Sequence, residues 1–188
     1  MGMSKEQDKG GFFSSAFGWM KIIILALVVA FAIRYFLISP VTVYGDSMDP
    51  TLHDGEHLFI NKLSTPKRFD IIVFPAPDEE GSEYIKRIIG LPGDTIEYKK
   101  DTLYINGKKY EEPYLDAEKK ELGGSGYLTK NFKLQDLPAV KSAKVVPKNQ
   151  LFVLGDNRRI SKDSRYIGFI KQEDVIGKVI SFGNSLKR

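Results

Sequence analysis

Cysteine is absent from this chain. Its absence excludes disulfides, a thiol nucleophile, Fe–S clusters and cysteine-based zinc sites together, and leaves the redox compartment open. Histidine occurs only at His53 and His57, so no three-histidine metal centre can be built. The two lie with Asp54 and Glu56 in a glycine-containing turn, without helical His-x-x-x-His spacing, and no metal or other cofactor is expected. Charge of one sign is not in great excess: the net is +4 over 188 residues. That mild basicity suits an anionic membrane surface as well as nucleic acid. With 42% hydrophobic and 28% charged residues, the chain is globular rather than disordered. Its length allows one domain with an insert and excludes a multidomain assembly.

One long apolar run is present. Residues 22–33 carry no polar side chain, and Tyr35, Phe36, Leu37 and Ile38 extend the run past Arg34. The central run alone is short of the ~20 residues a bilayer needs. Phe17 and Trp19 before it, with Tyr35 and Phe36 after it, resemble interfacial aromatic belts. Lys21 and Arg34 sit near the two ends, where such side chains snorkel. The pattern predicts a single transmembrane helix at 17–38, with 1–16 on the cytoplasmic side because Lys5, Lys9 and Lys21 precede the core. A cleaved leader is the competing reading, on the small-x-small Ala30-Phe31-Ala32, but the chain stays apolar beyond it.

The remainder reads as strands. Val41–Tyr44, Leu58–Ile60, Ile71–Phe74, Tyr84–Ile89, Thr95–Tyr98, Thr102–Ile105, Leu151–Leu154 and Val175–Phe182 are alternating or short apolar runs bounded by turn residues. Asn106-Gly107 joins Leu103–Ile105 to Lys108–Tyr110 as a type I′ hairpin. Between about 111 and 147 the composition shifts to Lys, Glu, Gly and Pro. The resulting partition is a catalytic β core at 39–105 and 148–188, interrupted by an inserted cap domain at 106–147.

Three stretches carry chemistry. Gly45-Asp46-Ser47-Met48-Asp49-Pro50-Thr51-Leu52 puts a serine at the end of a strand, followed by a turn; alone, it also fits a turn or cap serine. In Glu83–Ile89, strand alternation puts Tyr84, Lys86 and Ile88 on one face and Ile85, Arg87 and Ile89 on the other. A lysine between apolar neighbours either ends in water at a sheet edge or is desolvated with a depressed pKa. A fall of two units corresponds to about 2.7 kcal/mol and leaves an amine able to act as a general base. Third, Gly155–Arg165 gathers acids, guanidiniums and hydroxyls behind the strand Leu151–Leu154, either as an exposed polar loop or as support for a catalytic group.

In this order, the three stretches resemble the type I signal peptidases, the serine/lysine membrane proteases that remove secretory leaders. Ser47-Met48-x-Pro50-Thr51-Leu52 matches the nucleophile motif, and Lys86-Arg87 with Gly90-x-Pro92-Gly93-Asp94 the lysine motif. Gly155-Asp156-Asn157-Arg158 with Ser161-x-Asp163-Ser164-Arg165 matches the third. Lysine as base and one N-terminal anchor resemble the small Gram-positive members. The resemblance implies a mainly β fold: coiled antiparallel sheets of signal peptidase/LexA-like type behind one transmembrane helix, with a small cap. It implies Ser47 as nucleophile, with its N–H toward the oxyanion, and Lys86 as base. Ser161 would orient the amine, Asp163 and Arg165 would form a supporting ion pair, and Asp156 and Arg87 would belong to the scaffold. Asp46, Met48, Tyr84 and Ile85 would bind substrate. One departure is Gly45, where some members carry a serine that completes the oxyanion hole. The implied partners are secretory preproteins and membrane lipid, and no nucleic acid.

Other schemes fit less well. Ser64-Thr65-Pro66-Lys67 has the Ser-x-x-Lys spacing of penicillin-binding enzymes, but it lies beside a strand and lacks the companion motifs. His53 or His57 as the base of Ser47 competes with a polar-turn reading. A LexA-like self-cleaving protein would share the chemistry, but the anchor and the lack of a helix-turn-helix region oppose it. An anchored domain that only binds a partner would leave Ser47 and Lys86 structural.

Overall fold

A computed structural model describes residues 10–124 and 126–180; of the helix at 10–37, side chains are described at 18–31 and 37. Two units divide the chain, Met1–Ile38 and Ser39–Arg188. The first contains helix α1, Gly10–Leu37. Among the described residues no helix is long and apolar enough to cross a membrane. The expected span at 17–38 is only partly covered by described side chains: those of Phe17, Arg34, Tyr35 and Phe36 lie outside them, as do Lys5 and Lys9 altogether. Those that are described, from Trp19 to Phe31, include an almost unbroken series of exposed large apolar groups.

The second unit is built on antiparallel sheets. Strands β1 (Ile38–Thr42), β2 (His57–Asn61), β3 (Ile71–Pro75) and β4 (Glu83–Gly90) come first. They are followed by β5 (Ile96–Lys99), β6 (Thr102–Ile105), β7 (Lys108–Tyr110) and β8 (Phe132–Lys133). Strands β9 (Gln150–Leu154), β10 (Ile170–Lys171) and β11 (Gly177–Ile180) close the set. Helices α2 (Asp116–Glu121) and α3 (Ser164–Ile167) are short. A seven-stranded sheet runs β1-β2-β11-β3-β4-β9-β10, and a four-stranded sheet runs β7-β6-β5-β8.

The periodicity explains the positions. On β2, Leu58 and Ile60 are buried while His57 and Phe59 face outward, the alternation of a strand covered on one side. Ile71–Phe74 of β3 are buried without a break, as befits a strand between β11 and β4 with both faces covered. The Asn106-Gly107 turn has positive φ at both residues, 52° and 74°, which is what a two-residue I′ hairpin requires.

Two expectations are revised in detail. The four-stranded sheet takes β5 and β6 from Ile96–Ile105, upstream of the expected insert at 106–147, which supplies β7 and β8. Its hydrophobic cluster is continuous with the core strand β9, since Ile96, Tyr98 and Leu103 pack with Phe152 and Leu154. The first expected strand is shifted: β1 ends at Thr42, so Val43 and Tyr44 belong to the approach to Ser47. Residues 181 and 182 of the last expected strand lie outside the described residues.

Candidate active site

The chain reaches Ser47 through a tied loop. Val43 N–H donates to the Glu56 carbonyl and Gly55 N–H returns a bond to Val43, both at 2.9 Å. Gly45, at φ 76°, takes a backbone conformation that suits glycine, and its N–H donates to Asp54 Oδ1 at 2.7 Å. Asp49 N–H then closes a turn onto the Asp46 carbonyl at 3.2 Å. Met48 and Leu52 are almost fully buried, packed with Val43, Ile85 and Val179, and so fix the turn against the large sheet.

Lys86 comes to the same place from β4, where it pairs with Ile72 of β3. Its Nζ lies 2.8 Å from Ser47 Oγ and donates to the Ile85 carbonyl at 2.9 Å. The ammonium also sits 5.1 Å from the centre of the Tyr84 ring, as expected for two residues on one face of a strand. Lys86 is 3% exposed. Burial pushes its pKa down to about 8, against the opposing pull of Asp163 and Asp156. Near that pH the amine is neutral in a large fraction of molecules and can take the serine proton.

Arg87 points to the other face. Its Nε and Nη2 donate to the two oxygens of Asp156 at 2.9 and 2.5 Å, and Nη1 donates to the Phe69 carbonyl at 2.9 Å. Thr51 Oγ1 donates to Asp156 Oδ2, tying the serine turn to the same carboxylate. Asp163 caps α3, accepting from Arg165 N–H at 3.2 Å and from its guanidinium Nε and Nη2 at 2.8 Å. It also accepts from Gly155 N–H at 3.1 Å.

Ser161 differs from expectation. It is buried beside Ser47 and Gly155, but its hydroxyl makes no hydrogen bond; the second partner of the Lys86 amine is a backbone carbonyl instead. Contact with Ser161 explains the glycine at 155, where a Cβ would overlap the Ser161 hydroxyl and the Ser47 carbonyl oxygen.

These groups open on a cleft of about 680 Å³ that Asp46, Met48, Tyr84 and Ile85 line together with Ser47 and Lys86. Neither histidine lines it. His53 Nδ1 is 2.6 Å from Asp49 Oδ1 and His57 Nδ1 3.0 Å from Thr42 Oγ1. Ser64–Lys67 lies in a non-helical connection between β2 and β3, unlike a Ser-x-x-Lys nucleophile that begins a helix.

Residues 16–182 match the family described as signal peptidase, peptidase S26. The chain belongs to that family. It is 45% identical over 166 residues to signal peptidase IB of Staphylococcus aureus, covering 86% of this chain and 85% of the relative. It is 48% identical over 169 residues to signal peptidase I of Bacillus licheniformis, covering 87% and 86%. A crystal structure of a signal peptidase I from Enterococcus faecalis V583 superposes with a TM-score of 0.59 at 48% identity, covering 63% of this chain and 98% of that one.

In this member of the S26 family, sequence reasoning missed a second polar centre. Arg158, fully buried, donates to Glu112 Oε1 at 2.6 Å, Tyr98 Oη at 2.7 Å, Thr129 Oγ1 at 3.2 Å and the Gly155 carbonyl at 3.0 Å. Tyr114 lies beneath the Arg87 guanidinium, 3.9 Å from its ring centre, and its hydroxyl bonds Glu112 at 2.8 Å. The four-stranded sheet and its flanking loop are thereby joined to the 155–165 segment. Also unforeseen was Lys162, which lines the cleft and pairs with Asp78.

Proposed function

We propose that this signal peptidase family member is a membrane-anchored serine endopeptidase that removes signal peptides from secretory preproteins with a Ser47/Lys86 dyad. The observation that carries the reading is the 2.8 Å contact between Ser47 Oγ and a buried lysine amine whose pKa falls to about 8. Neutral Lys86 takes the Ser47 proton as Oγ bonds to the scissile carbonyl carbon, and the carbonyl oxygen becomes an oxyanion facing the Ser47 N–H. The resulting Lys86 ammonium returns that proton to the departing amine as the C–N bond breaks, leaving an ester on Ser47. Water then attacks the ester, giving its proton to Lys86, which passes it to Ser47 Oγ as the ester C–O bond breaks, so the acid product leaves with the Ser47 hydroxyl and the neutral Lys86 amine restored.

The substrate lies as an added strand between Val41–Asp46 and Glu83–Lys86, so that the residue before the cut and the one two earlier share a face. The wall on that face is formed by buried Met48, Ile85 and Val43. It leaves shallow apolar pockets that take alanine-sized side chains, giving an Ala-x-Ala preference. The apolar helix α1 serves as a single membrane anchor, the N-terminus cytoplasmic and the catalytic unit outside, with lipid around residues 22–31. The test is cleavage of a preprotein by the full chain in lipid vesicles. Wild type should cut after Ala-x-Ala, while Ser47→Ala and Lys86→Ala should be inactive. An active Ser47→Ala enzyme would refute the dyad, and a cut with Leu or Phe at both positions would refute the pockets.

A further inference from the structure

Asn157 grips the serine turn twice. Its backbone N–H donates to the Ser47 carbonyl at 3.1 Å, and its side-chain Nδ2 donates to the Asp46 carbonyl at 3.1 Å. These carbonyls belong to the two peptide groups that flank Ser47. Both peptides are trans, the one cis bond nearby being Asp49–Pro50. In a trans peptide the carbonyl and the N–H point opposite ways across one plane. Holding the Asp46 oxygen therefore aims the Ser47 N–H, and holding the Ser47 oxygen aims the Met48 N–H. The Asp49 to Asp46 bond makes Ser47 and Met48 the central pair of a turn, and neither has positive φ, which is the type I form. In that form the two central N–H groups point to one side. Among the described residues neither finds an acceptor, and Asp46, Ser47 and Met48 all line the cleft.

We infer that Asn157 is a positioning residue for the reaction: it fixes the two peptide planes so that the Ser47 and Met48 N–H groups meet the oxyanion. The second of these amides fills the place left by the absence of a hydroxyl side chain at Gly45. Asn157 touches neither the substrate nor Lys86; it acts through the Asp46 and Ser47 carbonyls. The inference rests on the dyad reading above, and the two can fail separately.

The experiment compares Asn157→Ala and Asn157→Asp with wild type and with Ser47→Ala, as full chains in detergent, on one leader peptide. Asn157→Ala lowers kcat about tenfold or more, toward the ~10²-fold that loss of a whole oxyanion donor costs, with KM within about threefold. Asn157→Asp, which turns a carboxylate oxygen toward the Asp46 carbonyl, loses at least as much. In Asn157→Ala, which changes no charge, the apparent pKa of kcat/KM stays that of wild type, because Lys86 is untouched. A peptide boronate, which forms a tetrahedral anion on Ser47, loses affinity in step with kcat, while the cleaved leader product binds as before.

Wild-type kcat in Asn157→Ala overturns the inference. So does a shifted pH profile in that variant, or an unchanged boronate affinity beside a reduced kcat. Failure of both variants to fold also counts against it, since the side chain would then be holding the fold rather than the turn. If Ser47→Ala retains activity, the dyad reading itself falls, whichever way Asn157 behaves.

Discussion

Lys86 and Arg87 are chain neighbours whose charges serve opposite faces of β4: the Lys86 amine contacts Ser47 Oγ, while the Arg87 guanidinium binds both oxygens of Asp156. The alternation of a strand produces this division. Asp156 also accepts from Thr51 in the serine turn, so the carboxylate ties that turn to β4 from behind.

Removing that carboxylate leaves a buried guanidinium with no anion beside it, held by the Phe69 carbonyl, a 3.4 Å contact to Thr51 Oγ1 and the Tyr114 ring. Stranding one partner of a buried pair costs about 3–5 kcal/mol. For a domain of this size, Asp156→Ala should lower Tm by on the order of 10 °C. Asp156→Asn, which keeps the shape and an acceptor oxygen, should cost less. Thermal melts of the two variants provide the measurement, and equal melting temperatures would show that the pair does not hold the turn.

The rate should follow the protonation of Lys86. Because its pKa is lowered by burial to about 8, kcat/KM should rise with pH through that value and level off above it. Lys86→Arg keeps the charge but cannot lose a proton in this range, so it should be as inactive as Lys86→Ala. His53→Ala and His57→Ala should remain within a few-fold of wild type, since neither residue lines the cleft. Ser161→Ala should cost less than Lys86→Ala, because its hydroxyl makes no bond to the amine. A pH–rate profile with an acid limb near 6.5 that disappears in His53→Ala would point to histidine instead.

The parts of this site that were legible in the sequence are those with local signatures. A serine after a strand, a lysine alternating with apolar residues, and a turn rich in opposite charges each have a pattern within about ten residues. Glu112 had none. It stands among surface-like lysines and glutamates, and its partner Arg158 lies 46 residues away; only the folded topology distinguishes it from a solvated acid. The same limit applies to β8 and β10, two-residue strands too short to show a period. The shared core of the two sheets was hidden as well: Ile96, Tyr98 and Leu103 look like any buried strand residues until they are seen against Phe152.

The Glu112–Arg158 contact should therefore behave as a coupling between the smaller sheet and the catalytic loop. Both side chains are essentially inaccessible to solvent. Glu112→Ala leaves Arg158 charged and short of its main anion, at a cost of about 3–5 kcal/mol. Arg158→Met in the same chain removes the stranded charge, so the double variant should be more stable than the sum of the single effects predicts. Urea denaturation of the four proteins in a double-mutant cycle should give a coupling energy above ~1 kcal/mol, and strict additivity would contradict it.

Lys86 itself should cost the fold stability where it is charged. Its folded pKa, about 8 because burial disfavours the ammonium, lies below the ordinary 10.5. Between those two values the unfolded chain holds the extra proton, so this group's contribution to stability rises with pH across that window. Below pH 8 both states are protonated and the penalty is complete; above 10.5 both are neutral and it is gone. Lys86→Met keeps the length and removes the charge. The variant should be inactive yet more stable than wild type at pH 7, by up to about 3 kcal/mol at 1.36 kcal/mol per pKa unit. The advantage should shrink steadily between pH 8 and pH 10.5. Denaturant melts of both proteins at several pH values measure the difference directly. A pH-independent difference, or a methionine variant less stable than wild type at pH 7, would mean that the ammonium is not strained in its pocket and that its deprotonation needs another cause.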